Sequence, residues 1–248
     1  MSNSELRPFW AKYFEFNARL GYYLILLVCL PRFVMVLYAN MTNNYGPIAI
    51  IMVISGLMPF ILLSKSGRDT IGIRMTINIK QLVVAFFVGG IISFILYFIG
   101  KELYDSSFSN WYEYIGRTYN LPTKLTSQDR AIYFVIFAVT GMTFSPIGEE
   151  FFFRGIVHSS LAKQWGERRS SLMDSFAFAM THISHFGLIY IAGGWQFLWM
   201  PTFIWVAFIF LLGLLFFHYR KTSGSIWGAV FCHSGFNLGM TYAIFYLL

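Results

Sequence analysis

The chain has 248 residues, of which 57% are apolar, 20% aromatic and only 12% charged, with a formal net charge of +7. A soluble domain carries roughly 25% charged residues, so this chain has too few to wet a globular surface, and its mean hydropathy of +0.60 excludes an ordinary water-soluble enzyme. The composition is that of an integral membrane protein, and the basic excess requires no nucleic acid, because inner loops favour Lys and Arg and face anionic lipid.

A polar, charged stretch runs to Arg19, and no small-residue cleavage site follows the first apolar run, which argues against a removable signal peptide. A helical crossing takes about 20 apolar residues. Such runs lie near 17–40, 46–64, 82–100, 131–148, 172–192, 197–217 and 225–248. Pro31-Arg32 interrupts the first run, and the fourth continues without a clear turn signal to about Leu161. The expected fold is therefore an all-α polytopic membrane bundle of seven transmembrane helices, or eight if one run is broken. No repeat or soluble segment divides it, so residues 1–248 are expected to form one membrane domain.

Basic residues set the orientation. Arg7, Lys12 and Arg19 precede the first run; Lys65, Arg68, Arg74 and Lys80 follow the second; Lys163, Arg168 and Arg169 follow the fourth; Arg220 and Lys221 follow the sixth. All four positions fall on one side, which is expected to be the cytoplasm of a cell membrane. The other side receives 39–45, 192–196 and the 101–130 connection, whose Lys101, Arg117, Lys124 and Arg130 are balanced by Glu102, Asp105, Glu113 and Asp129. That connection is rich in Tyr, Ser and Asn. It reads as an interfacial helix or partner site, with a solvated loop as the simplest reading. Cys29 and Cys232 lie inside predicted spans without a CxxC partner and are expected to pack as small apolar residues.

Ionisable groups at membrane depth are functional candidates by default, and the densest set is Gly148-Glu149-Glu150-Phe151-Phe152-Phe153-Arg154. On a helix Glu150 and Arg154, four apart, share a face with the acid on the favourable N-terminal side. They are expected to form a buried, paired anchor, leaving Glu149 as an unpaired acid in an apolar setting suited to proton transfer. Two further pairs at the same spacing are Phe178 with His182 and His233 with Asn237. With the fifth run starting inside near Leu172 and the last near Ser225, at 1.5 Å per residue, His182 lies about 15 Å deep, His233 about 12 Å and Asn237 about 18 Å. Polar residues from three distant segments that agree in depth suggest a shared cavity open to the cytoplasm. His185 reads as structural or supporting, His158 and His218 as interfacial, and Asp174 as a carboxylate favoured by a helix N-terminus.

Glu149-Glu150-x-x-x-Arg154, Phe178-x-x-x-His182 and His233-x-x-x-Asn237, in that order on hydrophobic segments, resemble the three motifs of the CAAX protease and bacteriocin-processing family of intramembrane proteases, also called the Abi family. Gly213, Tyr219, Thr222, Gly224, Ser225 and Trp227 resemble the usual lead-in to the last motif. The resemblance covers about 131–240. It implies an all-α membrane bundle with an intramembrane cavity, in which Glu149 and His182 activate water, His233 and Asn237 stabilise the oxyanion, and Glu150 and Arg154 brace the site.

These roles match what peptide hydrolysis requires, a base for water and donors for the developing oxyanion. A zinc site built from Glu149, His182 and His233 is the mechanistic rival; it is disfavoured because no His-Glu-x-x-His is present and no histidine has an evident carboxylate partner. No cofactor is favoured. Ser234 and Cys232 adjoin His233 but point to other faces, and no Gly-x-Ser-x-Gly turn or intramembrane aspartate pair is present. The expected activity is an intramembrane endopeptidase acting on a membrane-bound peptide or lipidated protein, of prenylated CAAX type or of bacteriocin or pheromone type. A non-catalytic immunity or scaffold protein is the alternative from another class, and a proton-coupled transporter is disfavoured by the lack of an inverted repeat.

Overall fold

Short polar residues start several of the helices that the apolar runs predict. The Asn17 side chain accepts the Leu20 N–H, Thr126 and Asp129 cap each other reciprocally, and Ser225 accepts from the Trp227 N–H, each satisfying N–H groups that a helix leaves orphaned at its start. The computed structural model describes residues 4–75, 78–122 and 124–248. Among them run α1 (Ala18–Thr42), α2 (Gly46–Leu62), the short α3 (Lys65–Thr70), α4 (Ile79–Tyr104), α5 (Trp111–Thr118), α6 (Ser127–Glu150), a π-helical segment (Phe151–Val157) and α7 (His158–Thr181). A hairpin of β1 (Leu188–Ile191) and β2 (Gly194–Phe197) follows, then α8 (Trp199–Ser223) and α9 (Ile226–Tyr246).

The protein is all-helical apart from that hairpin and is a membrane protein. Among the described residues, α1, α4, the continuous stretch Ser127–Thr181 and α8 are long and apolar enough to cross a bilayer, and α2 is a shorter apolar helix. α1 runs unbroken through Pro31. The fourth run does continue past 148, as its missing turn signal suggests, through the π-helical segment into α7. The break comes at Gly166, whose φ of 71° and ψ of 166° lie in a region open essentially to glycine alone.

Two expectations are corrected here. The span predicted over 172–192 does not exist as one helix: α7 ends at Thr181, and 188–191 pairs antiparallel with 194–197. Positive φ at Ala192 (50°) and Gly193 (80°) makes the two-residue turn that joins such strands, and Ile189, Tyr190 and Ile191 suit a strand. The 101–130 connection, most simply read as a solvated loop, carries the helix α5 at its centre, as the helical alternative had it. Trp111, Tyr112 and Tyr114 of α5 are buried, with Trp111 stacked on Trp205 of α8 at 6.0 Å and edge-on to Phe186 at 6.1 Å. An aromatic plug therefore closes one end of the bundle.

The basic segments gather at the other end. Lys163 pairs with Glu5, Arg7 donates to the Leu63 carbonyl at 3.3 Å, and Arg74 Nε donates to the Gly224 carbonyl at 3.0 Å. Arg220 donates to Ser159 Oγ at 2.9 Å, so all four basic positions share one face. Both cysteines are free, and Cys232 is fully buried.

α4 and α9 approach through small residues, as membrane helices do when backbones must come close. A Cβ added at Gly235 would fall onto the Phe86 carbonyl oxygen, and one at Gly89 onto that of Cys232. Gly235 lies between His233 and Asn237, so this contact sets where both are presented. Gly235→Ala is expected to force the helices apart, lowering stability by about 1–3 kcal/mol, the usual cost of overpacking; thermal unfolding in detergent measures it.

Candidate active site

Glu149 and Glu150 end α6, Arg154 sits in the π-helical segment, His182 caps the C-terminus of α7, and His233 and Asn237 lie one turn apart on α9. A cavity of about 140 Å³ brings four of the six together: Glu149, His182, His233 and Asn237 line it, with Arg32, Ser145, His185 and apolar side chains of α5, α8 and α9. Glu150 and Arg154 lie behind it, both 0% exposed. The convergence expected from three distant segments is present, although His182 reaches it from a helix end.

Glu149 is not the unpaired acid expected from sequence. Its Oε1 forms an ion pair with Arg32 Nη2 from α1, and both residues are buried. A lone carboxylate in an apolar bundle carries a desolvation penalty of several kcal/mol, and Arg32 supplies the counter-charge. Glu149 Oε2 completes no hydrogen bond among the described residues and lies 3.8 Å from His233 Nε2. Arg32 Nη2 also meets His185 Nε2 at 3.4 Å. A guanidinium only donates, so His185 Nε2 is the acceptor.

The Glu150–Arg154 anchor forms as predicted, with Arg154 Nε 3.4 Å from Glu150 Oε2. It belongs to a longer buried chain. Arg154 Nε is 3.6 Å from Asp174 Oδ1, Asp174 Oδ2 is 2.7 Å from His158 Nδ1, and His158 Nε2 is 3.3 Å from Glu167. Asp174 and His158, read from sequence as a helix-start carboxylate and an interfacial histidine, are both 0% exposed and tie α7 to Arg154. The guanidinium also faces the rings of Phe178 at 4.3 Å, Phe216 at 5.4 Å and Phe153 at 5.9 Å. Cation–π attraction is strong at such a desolvated site.

Hydrogen bonds assign the histidine tautomers. His182 Nδ1 is 2.8 Å from the Phe178 carbonyl, which can only accept, so Nδ1 carries the proton and Nε2 keeps its lone pair. His233 Nδ1 donates to Glu150 Oε1 at 2.8 Å, and its ring stacks on Phe216 at 4.7 Å. The Asn237 amide gives one N–H to the Gly141 carbonyl at 2.9 Å and has a second to offer. Ser234 Oγ donates to the Met142 carbonyl at 2.7 Å, away from His233.

Glu150 is the carboxylate partner that no histidine shows in sequence, so one argument against zinc is overturned. The donor set nevertheless fits a dication poorly, because Glu149 is already matched to a guanidinium whose positive charge would repel it. Among the described residues no group of three or more His, Cys, Asp or Glu side chains is placed to hold a metal ion.

Arg32 is the residue that sequence reasoning passed over. Its signal was visible, a charge inside an apolar run, but it read as an interruption beside Pro31. The lining position of His185 had no such signal.

Residues 131–239 match the family described as Type II CAAX prenyl endopeptidase Rce1-like, consistent with the resemblance read from the three motifs. The match spans α6 through most of α9, and at family level it supports a membrane protease. No curated protein and no solved structure matches the chain. Because Arg154 balances two buried carboxylates, Arg154→Met is expected to destabilise the protein by about 3–5 kcal/mol, as when one partner of a buried ion pair is removed; its melting temperature against wild type checks this.

Proposed function

We propose that the chain is an intramembrane endopeptidase that hydrolyses a peptide bond of a membrane-associated substrate by activating water without a metal. The observation that carries this is the shared cavity. Glu149 Oε2 and His182 Nε2 are proton acceptors on its wall, the Asn237 amide has a second N–H to donate, and the His233 ring lines the same space.

Water between Glu149 and His182 attacks the scissile carbonyl carbon and gives its proton to Glu149 Oε2. The carbonyl oxygen gains negative charge and takes hydrogen bonds from Asn237 and from His233, which in this scheme carries a proton on Nε2 as well as on Nδ1. Collapse breaks the C–N bond, and the proton held on the acid passes to the leaving amine. Glu150 holds His233 from behind, and Arg154 holds Glu150. Donors aimed at the developing oxyanion are each worth about 10²–10³ in rate.

The prenylated CAAX class of substrate is supported by the family match over 131–239; a lipidated chain end reaches a membrane-embedded site with its anchor still in lipid. The clustering of Arg7, Arg74, Lys163 and Arg220 at one end supports a cell-membrane orientation with that end, the N-terminus and the cavity opening towards the cytoplasm.

The test is cleavage of a farnesylated CAAX peptide, alongside hydrophobic leader peptides, by the detergent-purified protein, read by mass spectrometry. Glu149→Gln is expected to lower the rate by at least about 10²-fold, Asn237→Ala by about 10²–10³-fold, and a chelator not at all. Chelator-sensitive cleavage would overturn the metal-free mechanism. Full activity of Glu149→Gln would sink the protease reading in favour of a binding or immunity role.

A further inference from the structure

Arg32 stands on α1, about a hundred residues before the segment that carries the family match, yet it lines the same cavity as Glu149, His182, His233 and Asn237. It is 4% exposed. Its Nη2 pairs with Glu149 Oε1 and meets His185 Nε2 at 3.4 Å, while its Nε completes no hydrogen bond among the described residues.

An arginine is an expensive way to hold α1 against α6. Buried ion pairs add little net stability over well-packed apolar side chains, and α1 already buries Leu20, Leu24, Val36 and Ala39. The guanidinium acts on the carboxylate. By occupying Oε1 it stops rotation of the Glu149 carboxyl group and leaves Oε2 as the oxygen that addresses the cavity. It also supplies the positive charge that a carboxylate needs in apolar surroundings. His185, accepting from the same nitrogen, limits the guanidinium's own freedom, so α1, α6 and the turn after α7 together place one oxygen atom.

We propose that Arg32 is a positioning residue of the active site, holding Glu149 by one carboxylate oxygen and itself held by His185. This rests on the protease reading above and extends the working site beyond the 131–239 segment to α1. Arg32 touches no reacting atom in this scheme; it acts through Glu149.

The test is steady-state cleavage of the farnesylated CAAX peptide by the full-length protein in detergent, comparing wild type, Arg32→Gln, Arg32→Lys and Glu149→Gln. Arg32→Gln is expected to lower kcat by at least about 10²-fold, the scale on which misplaced catalytic groups act, with KM within threefold of wild type. Arg32→Lys, which restores the charge, is expected to recover at least about tenfold of that loss, since the Coulombic attraction to Glu149 returns without the fork. A kcat within threefold of wild type for Arg32→Gln, or an Arg32→Lys variant as slow as Arg32→Gln, would overturn the proposal. If Arg32→Gln does not fold, His185→Gln decides: a kcat loss at constant KM supports the arrangement, and wild-type kinetics refute it. Glu149→Gln separates the two ideas. Wild-type turnover by that variant defeats the protease reading itself, whereas an inactive Glu149→Gln beside a fully active Arg32→Gln defeats only the role of Arg32.

Discussion

A charge placed in an apolar bundle must find its opposite there, and this constraint organises the structure. Glu149 and Glu150 are adjacent in sequence and cannot share one counter-charge across a helix. Arg154, four residues on, serves Glu150, and Arg32, far back in α1, serves Glu149. Each pairing draws in further groups. Asp174 and His158 complete the surroundings of Arg154, and His185 those of Arg32. The polar interior is thus two connected networks that meet at His233, whose two nitrogens face one carboxylate each.

Apolar packing holds those networks in register. The Phe153, Phe178 and Phe216 rings close around Arg154, and Phe178 also supplies, through its carbonyl, the acceptor that orients His182. Close passage of α9 along α4 through Gly89 and Gly235 presents His233 towards Glu150 and turns Asn237 towards Gly141 of α6. Burial of Trp111 against Trp205 and Phe186 brings α5 down over the cavity, with Ile115 in its wall. A site built this way is surrounded largely by apolar side chains, and a low local dielectric strengthens each electrostatic contact inside it.

Sequence periodicity located most of the helices, because runs of apolar residues and their polar caps are local signals. It failed where local and tertiary preferences parted. Residues 172–192 are apolar enough for a span, but the chain stops at Thr181 and folds into a hairpin whose Ala192-Gly193 turn is a two-residue signal hidden inside an apolar window. Segment 101–130 read as an interfacial helix or partner site, or most simply as a solvated loop, because its Tyr, Ser and Asn are polar by composition; in the fold Trp111, Tyr112 and Tyr114 of α5 turn inward, and Tyr112 satisfies its hydroxyl against Ser93 of α4 at 2.6 Å.

The three motifs were legible because each is a short helical spacing, and helix geometry alone places residues four apart on one face. That logic correctly joined Glu150 to Arg154. It could not say what Glu149 meets, since Arg32 lies 117 residues away and no periodicity connects α1 to α6. The sequence by itself therefore determined the membrane class, most of the helical segments and the identity of the polar groups. Tertiary structure alone decided which charge answers which, because burial leaves an ion no solvent to turn to and makes its partner whatever the packed helices bring within reach.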